Sequence, residues 1–314
     1  MGVSLNEINA KSQGGTELSI KEFQDRIPAN ILEPFQIIPS RFRGAEPGKI
    51  LIYWAHDLPG DPECDHLKAG GYNQYEKLVF VSNWQMQAFI SHYGIPWRKC
   101  IVLPNAVIPI EGKQDSEGPI RLIYHTTPHR GLEILAPVFN RLCEQYDNIE
   151  LDVFSSFQIY GWGERDEPYK PIFDMLRSNP KARYHGLGNH QLVRDTVAKA
   201  HIFAYPNIWA ETGCRSLMEA MTAGVLCVHP NYGCLFETGA GWTLMYQYQE
   251  DKRDHAQLFH AHLCAAIDQV RLEQVQARLQ SQAAYANVFY NWEVRKHEWT
   301  SLLQQILDEK RIKV

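Results

Sequence analysis

The residues best placed to do chemistry lie in AYPNIWAETGCRSLMEAMTAGVLCVHPNYG, positions 204–233. The pattern is a strand ending at Pro206, a loop with Glu211 and Gly213, a short helix around 217–223, a glycine stop at Gly224 and a second strand. A strand, loop and helix in that order form the type of turn that binds phosphates in open α/β sheets. N–H groups at the start of such a helix, from Gly213 to Ser216, can hydrogen-bond a diphosphate, and the positive end of the helix dipole favours it. Glu211 and Glu219, eight residues apart, then bracket the anion. A carboxylate accepts two hydrogen bonds and so matches the vicinal diol of a ribose or hexose. On spacing alone a plainer reading stays open, with Glu211 as a capping residue and Glu219 as a helix-surface acid.

The elements that must position these groups follow from periodicity. In the first part of the chain GGTELSIKEF reads as a glycine loop opening a helix, FQIIPS as a short strand and ILIYW as another. LVFVS, the amphipathic WQMQAFISHYG and CIVLP continue the α/β alternation. No strand is evident upstream of Gly14, so this lobe is short. Residues 111–119, EGKQDSEGP, are polar and read as a linker. Beyond Pro119 the alternation resumes with IRLIY, a helix over 131–145, IELDVF, helices near 171–177 and over GNHQLVRDTVAKA, then HIFAYP and VLCVHP. Strands that are apolar almost throughout and alternate with helices imply parallel sheets covered on both faces. From Asp251 the tail is helical, with an aromatic interruption at Phe289, Tyr290 and Trp292.

A chain of 314 residues suits two domains, and 45% hydrophobic with 21% charged residues describes an ordinary globular protein. No apolar run approaches the roughly 20 residues needed to span a bilayer, and MGVSLNEINAKS lacks a signal-peptide layout, so a cytoplasmic location is expected. Seven cysteines, odd in number and without a CxxC pair, read as reduced, mostly buried thiols. A net charge of −5 gives no overall attraction to nucleic acid. No Asp-x-Asp is present, and His125 with His129 suggests no third zinc ligand, so no metal is expected.

EAMTAG preceded by Glu211 at the E-x7-E spacing resembles the signature of the family-4 (group 1) retaining glycosyltransferases. Further matches follow in register: GGTE at 14–17, FVSNWQMQAFISHYGIPWRKCIVLPNAV at 80–107, TPHRGLEIL at 127–135 and the aromatic-Trp-Glu element within 289–293. The resemblance implies the GT-B fold, two Rossmann-like domains facing across a cleft, with the C-terminal helix returning to the first. It implies an acceptor-side domain of 1–114 plus 290–314 and a donor-binding domain of 115–289.

It also implies roles. Glu219 would bind the ribose and Glu211 the donor-sugar hydroxyls. The backbone of Thr212, Gly213, Cys214, Arg215 and Ser216 would hold the diphosphate, Arg130 would act as its cationic ligand, and Gly14–Gly15 would approach it from the first domain. His56 would face the reacting sugar, and the main chain near Gly186 and Leu187 would meet the base. The implied reaction moves a hexose from a UDP- or GDP-linked sugar to an acceptor hydroxyl, retaining configuration, with Glu211, His56 and Arg130 as the catalytic set and no cofactor besides the donor substrate. The acceptor stays open among glycans, lipid-linked glycans, proteins and modified nucleobases, with peripheral membrane contact compatible. A nucleotide-sugar epimerase of the same fold, or a non-catalytic sugar-nucleotide binder, is the alternative. Two departures are visible: His125 stands where the family often has arginine, and Asn105–Ala106 replaces Asn-Gly.

Overall fold

The computed structural model describes residues 14–310. The chain divides into two compact units. One is built from the chain up to Val107 and from Tyr290 onward, the other from Ile108–Phe289.

The first unit holds four parallel strands in spatial order β1-β2-β3-β4: β1 (Phe35–Pro39), β2 (Ile50–Ala55), β3 (Lys77–Phe80) and β4 (Cys100–Val102). Side chains of a strand alternate between the two faces of its sheet, and both faces here are apolar. Ile52 and Trp54 of β2 enter one core with Ile37, Val79, Phe23 and Trp299; Leu51, Tyr53 and Ala55 enter a second with Leu78, Phe80, Tyr75 and Phe89. The first core is closed by two helices far apart in sequence, Gly15–Gln24 and Trp292–Glu309. Phe23, Trp54 and Trp299 meet there with ring centroids 4.9–5.3 Å apart, and Trp292 donates its indole N–H to the buried Glu22 at 2.9 Å. The second core lies under the helix Asn83–Tyr93, whose N-cap Ser82 accepts from the Gln85 amide and whose Gly94 stop adopts φ +69. The polar stretch before Tyr75 folds as 3-10 turns over Pro62–Gln74.

The second unit holds six parallel strands in the order β10-β9-β8-β5-β6-β7. They are β5 (Ile120–Tyr124), β6 (Ile149–Phe154), β7 (Ala182–Gly186), β8 (Ile202–Ala204), β9 (Leu226–Pro230) and β10 (Leu244–Tyr246). The two edge strands were not legible as strands. β10 has three residues, and β7 alternates polar and apolar side chains as an edge strand does. Its Arg183 makes a bidentate pair with Asp152 on β6 at 2.8 and 2.7 Å and reaches Glu150 at 2.9 Å.

The stretch read as a linker is laid onto the second unit. The amide of Ile110 donates to Thr222 Oγ1 at 3.1 Å, that of Lys113 to the Ala198 carbonyl at 2.6 Å, and the Gln114 side chain to the Ala223 carbonyl at 2.8 Å. A Cβ on Gly112 would lie 2.3 Å from the Ala223 carbonyl oxygen, so this backbone approach requires glycine. The unit boundary at Val107 therefore differs from the one at 114/115 read from the sequence. The helical tail consists of Lys252–Gln269, Glu273–Phe289 and Trp292–Glu309. All seven cysteines are free thiols, five of them buried.

Candidate functional site

In an open parallel sheet the loops leaving the C-terminal ends of the strands carry the ligand-binding groups. Three such loops of the second unit, following β5, β6 and β8, supply this site.

After β5 the chain makes a 3-10 turn over Pro128–Arg130 and passes Gly131, at φ +106, into the helix Leu132–Cys143. A Cβ on Gly131 would sit 2.0 Å from the carbonyl oxygen of Pro206, in the loop after β8, so the two loops touch through bare backbone. That contact brings Arg130 to Glu211. The guanidinium donates through NH1 to Glu211 Oε1, and its Nε donates to Thr127 Oγ1 at 3.1 Å. The same carboxylate oxygen accepts from the hydroxyl of the buried Tyr205. Burial alone would lower the Arg130 pKa, but the Glu211 carboxylate and the Tyr205 and Tyr160 hydroxyls outweigh it and keep the guanidinium protonated. Tyr205 is pushed well above the ordinary phenol value, first by burial and then by Glu211.

The loop after β8 is fixed from several sides. Asn207, fully buried, accepts from the Trp209 amide at 3.0 Å and donates to the Trp209 carbonyl at 2.5 Å. The carbonyl of Glu211 accepts from the Cys234 amide at 2.8 Å. Gly233, at φ +63, passes so close that a Cβ there would lie 2.4 Å from the Glu211 nitrogen. The helix Arg215–Thr222 then begins with Cys214 at its N-cap, which makes no side-chain cap bond, and Gly224 ends it at φ +69. Its residues Leu217, Met218, Ala220 and Met221 are buried, which anchors the helix and fixes where its first-turn amides point. Ser216 Oγ ties that turn to the β5 loop by donating to the His125 carbonyl at 3.3 Å.

Glu219 is buried on this helix, and its Oε2 lies 3.9 Å from His125 Nε2. Burial lowers the His125 pKa to about 4, so the ring is neutral at physiological pH and this contact is not an ion pair there. His125 rests on Phe203 and His129 on Phe157, with centroids 4.8 and 5.2 Å apart.

Of the residues singled out by sequence, Arg130, Glu211, Cys214, Ser216 and Glu219 thus converge on the β5 and β8 loops, with Thr212, Gly213 and Arg215 on the same turn. Leu187, 44% exposed, follows Gly186 at the end of β7, two strands further along the sheet from β5. Gly14, Gly15 and His56 lie in the other unit. Gly14 is the N-cap of the helix Gly15–Gln24, with φ −64 and ψ 165. His56 follows β2, its amide donating to Ser40 Oγ at 3.0 Å and its ring packed 4.6 Å from Trp54. Sequence reasoning missed Tyr205, which reads as part of an apolar strand, and Asn207, Gly131 and Gly233. For the two glycines the signal was their position beside motif residues; for Asn207 it was the Asx turn that a Pro-Asn pair after a strand favours.

Two parallel α/β units with a helical C-terminus fit the GT-B fold. Residues 110–238, within the second unit, match the family model described as glycosyl transferases group 1. No curated protein matches the sequence. Among solved structures the chain is similar to a glycosyltransferase from Rickettsia africae, with a TM-score of 0.65 at 14% identity over 96% of this chain and 84% of that one. The Anabaena protein HepE, solved in complex with UDP-glucose, gives 0.64 at 14% identity over 92% and 82%. Sucrose-phosphate synthase from Thermosynechococcus elongatus gives 0.62 at 13% over 88% and 74%. No helix among the described residues is long and apolar enough to cross a membrane.

Proposed function

We propose that this protein is a retaining glycosyltransferase that moves a hexose from a nucleotide-diphosphate sugar to an acceptor hydroxyl without a metal ion. The observation that carries the reading is the convergence of the Arg130 guanidinium and the start of the helix Arg215–Thr222 around Glu211. Cleavage of the donor's anomeric C–O bond places negative charge on the departing diphosphate. A cationic guanidinium and backbone amides at a helix start stabilise such charge electrostatically. In this reading Thr212 to Ser216 hold the diphosphate, Glu219 the ribose diol and Glu211 the sugar hydroxyls, while His56 faces the reacting sugar and Leu187 the base. The acceptor oxygen loses its proton to the leaving diphosphate on the same face of the sugar, which preserves anomeric configuration without an enzyme nucleophile. The solved relative in complex with UDP-glucose favours a UDP-linked donor, with a GDP-linked one next.

A thermal-shift panel of UDP, GDP, ADP and their sugars tests the donor, because a ligand bound only by the folded state raises the melting temperature. A stabilising nucleotide sugar that is then transferred or slowly hydrolysed with retained anomeric configuration supports the proposal. Stabilisation by none of them overturns it. Conversion of the donor to an isomer without acceptor would identify an epimerase instead.

A further inference from the structure

An aromatic wall stands beside the Arg130 and Glu211 pair, built from the same three loops. Trp209 lies two residues before Glu211 and is 43% exposed. His129, immediately before Arg130, packs against Trp209 edge-on at 4.9 Å and is stacked on Phe157 at 5.2 Å with an interplanar angle of 16°. Phe157 opens the segment after β6 and leans on Tyr169 at 5.9 Å. An exposed indole on a surface loop ordinarily samples several rotamers, yet here both backbone polar groups of Trp209 are held by the buried Asn207 side chain, and one side of the ring is fixed by His129. What sets Trp209 apart from other exposed apolar side chains is that it is held in place beside the Arg130 and Glu211 pair, with a flat ring suited to stacking. His129 adds a polar handle: its Nδ1 is buried and makes no hydrogen bond among the described residues.

We propose that Trp209, with His129 and Phe157 behind it, is a stacking platform for the sugar ring of a nucleotide sugar. A pyranose presents an apolar C–H face that fits flat on an aromatic ring, while its hydroxyls point sideways to polar partners such as Glu211. Recognition is then divided: the amides of the helix start and Arg130 take the diphosphate, and the wall takes the sugar. This inference rests on the glycosyltransferase reading.

The experiment measures binding by calorimetry of UDP against UDP-glucose and UDP-N-acetylglucosamine, and of GDP against GDP-mannose, to wild type, Trp209→Ala, Trp209→Phe and Trp209→Leu. The expected result is that Trp209→Ala binds the bare nucleotide as wild type does and the matching nucleotide sugar about tenfold more weakly. Trp209→Phe keeps most of the affinity, and Trp209→Leu, which retains bulk without a flat ring, behaves as the alanine variant. Asn207→Ala, which frees the loop, shows a smaller loss of the same selective kind. Equal weakening of nucleotide and nucleotide sugar would assign the wall to the base or to loop integrity and overturn the proposal, as would an unchanged affinity for both. Failure of the wild type to bind any nucleotide would sink the parent reading instead, and this inference with it.

Discussion

The Arg130 guanidinium and the Glu211 carboxylate, from loops after two adjacent strands of one sheet, form an ion pair largely withdrawn from water, with Tyr205 bonded to the same carboxylate oxygen. The two side chains are 81 residues apart in sequence, and at the bare backbone contact between Gly131 and Pro206 their loops approach closely. Removing one partner of a buried pair strands the other charge, whereas removing both does not.

Arg130→Ala is accordingly expected to destabilise the fold by roughly 2–4 kcal/mol, and Arg130→Ala with Glu211→Gln to recover part of that loss. Urea titrations of the four species of the cycle check this; additive single effects would show that the pair is not coupled. In the proposed reaction the arginine variant also loses about two orders of magnitude in turnover, beyond what its folded fraction explains.

His125, His129 and His229 are all held near pKa 4 by burial, with Arg130 and Arg165 adding to the effect at His129. A lowered folded pKa means that between about 6.5 and about 4 the unfolded chain binds protons that the native chain does not. Stability is therefore fully present above pH 6.5 and falls as the pH drops toward 4. Each imidazole contributes a slope of up to about 1.4 kcal/mol per pH unit in that window. Melting temperatures from pH 7.5 to 4.5 should decline less steeply for His125→Phe than for wild type, and equal slopes would remove His125 from the account.

Gly131→Ala and Gly233→Ala insert a methyl group into backbone at 2.0 and 2.4 Å, and both sites have positive φ. Gly94 has φ +69 with no atom within 4 Å of where a methyl group would go, so Gly94→Ala carries only the conformational cost of about 1–2 kcal/mol. The first two should lose about 3 kcal/mol or more and, in the proposed function, lower donor binding together with stability. Chemical denaturation of all three variants is the comparison; parity with Gly94→Ala would show that the loops yield freely.

Trp299 is fully buried against Phe23 and Trp54. Trp299→Ala should cost about 3–5 kcal/mol, and ending the chain before Tyr290 should leave the first unit unable to close its core. Domain-resolved hydrogen exchange would reveal the loss in residues 15–107 while residues 108–289 stay protected.

The order of strands and helices was legible wherever burial imposed one pattern on a segment. Ile50–Ala55 and Ile149–Phe154 are central strands with nearly every side chain inside, and they read as such. β7 was obscured by Arg183 and His185, whose polar side chains suit a sheet edge and whose partner Asp152 lies 31 and 33 residues earlier. For the stretch 111–119 composition reports solvation and not the backbone bond that Lys113 makes to a distant segment. Glu211 and Arg130 were singled out through motif register. Their mutual pairing was invisible because it depends on Gly131 meeting Pro206, a contact that no local spacing encodes.

The returning helix also sets an order of events during synthesis. Trp299, Leu303 and Leu307 complete a core begun by Phe23 and Trp54, and they leave the ribosome only after the whole second unit has done so. At ordinary elongation rates, on the order of ten to forty seconds separate the emergence of Val107 from that of the returning helix. During that interval residues 108–289 have time to fold, while the strands ahead of them wait with the aromatic face of Phe23 and Trp54 uncovered.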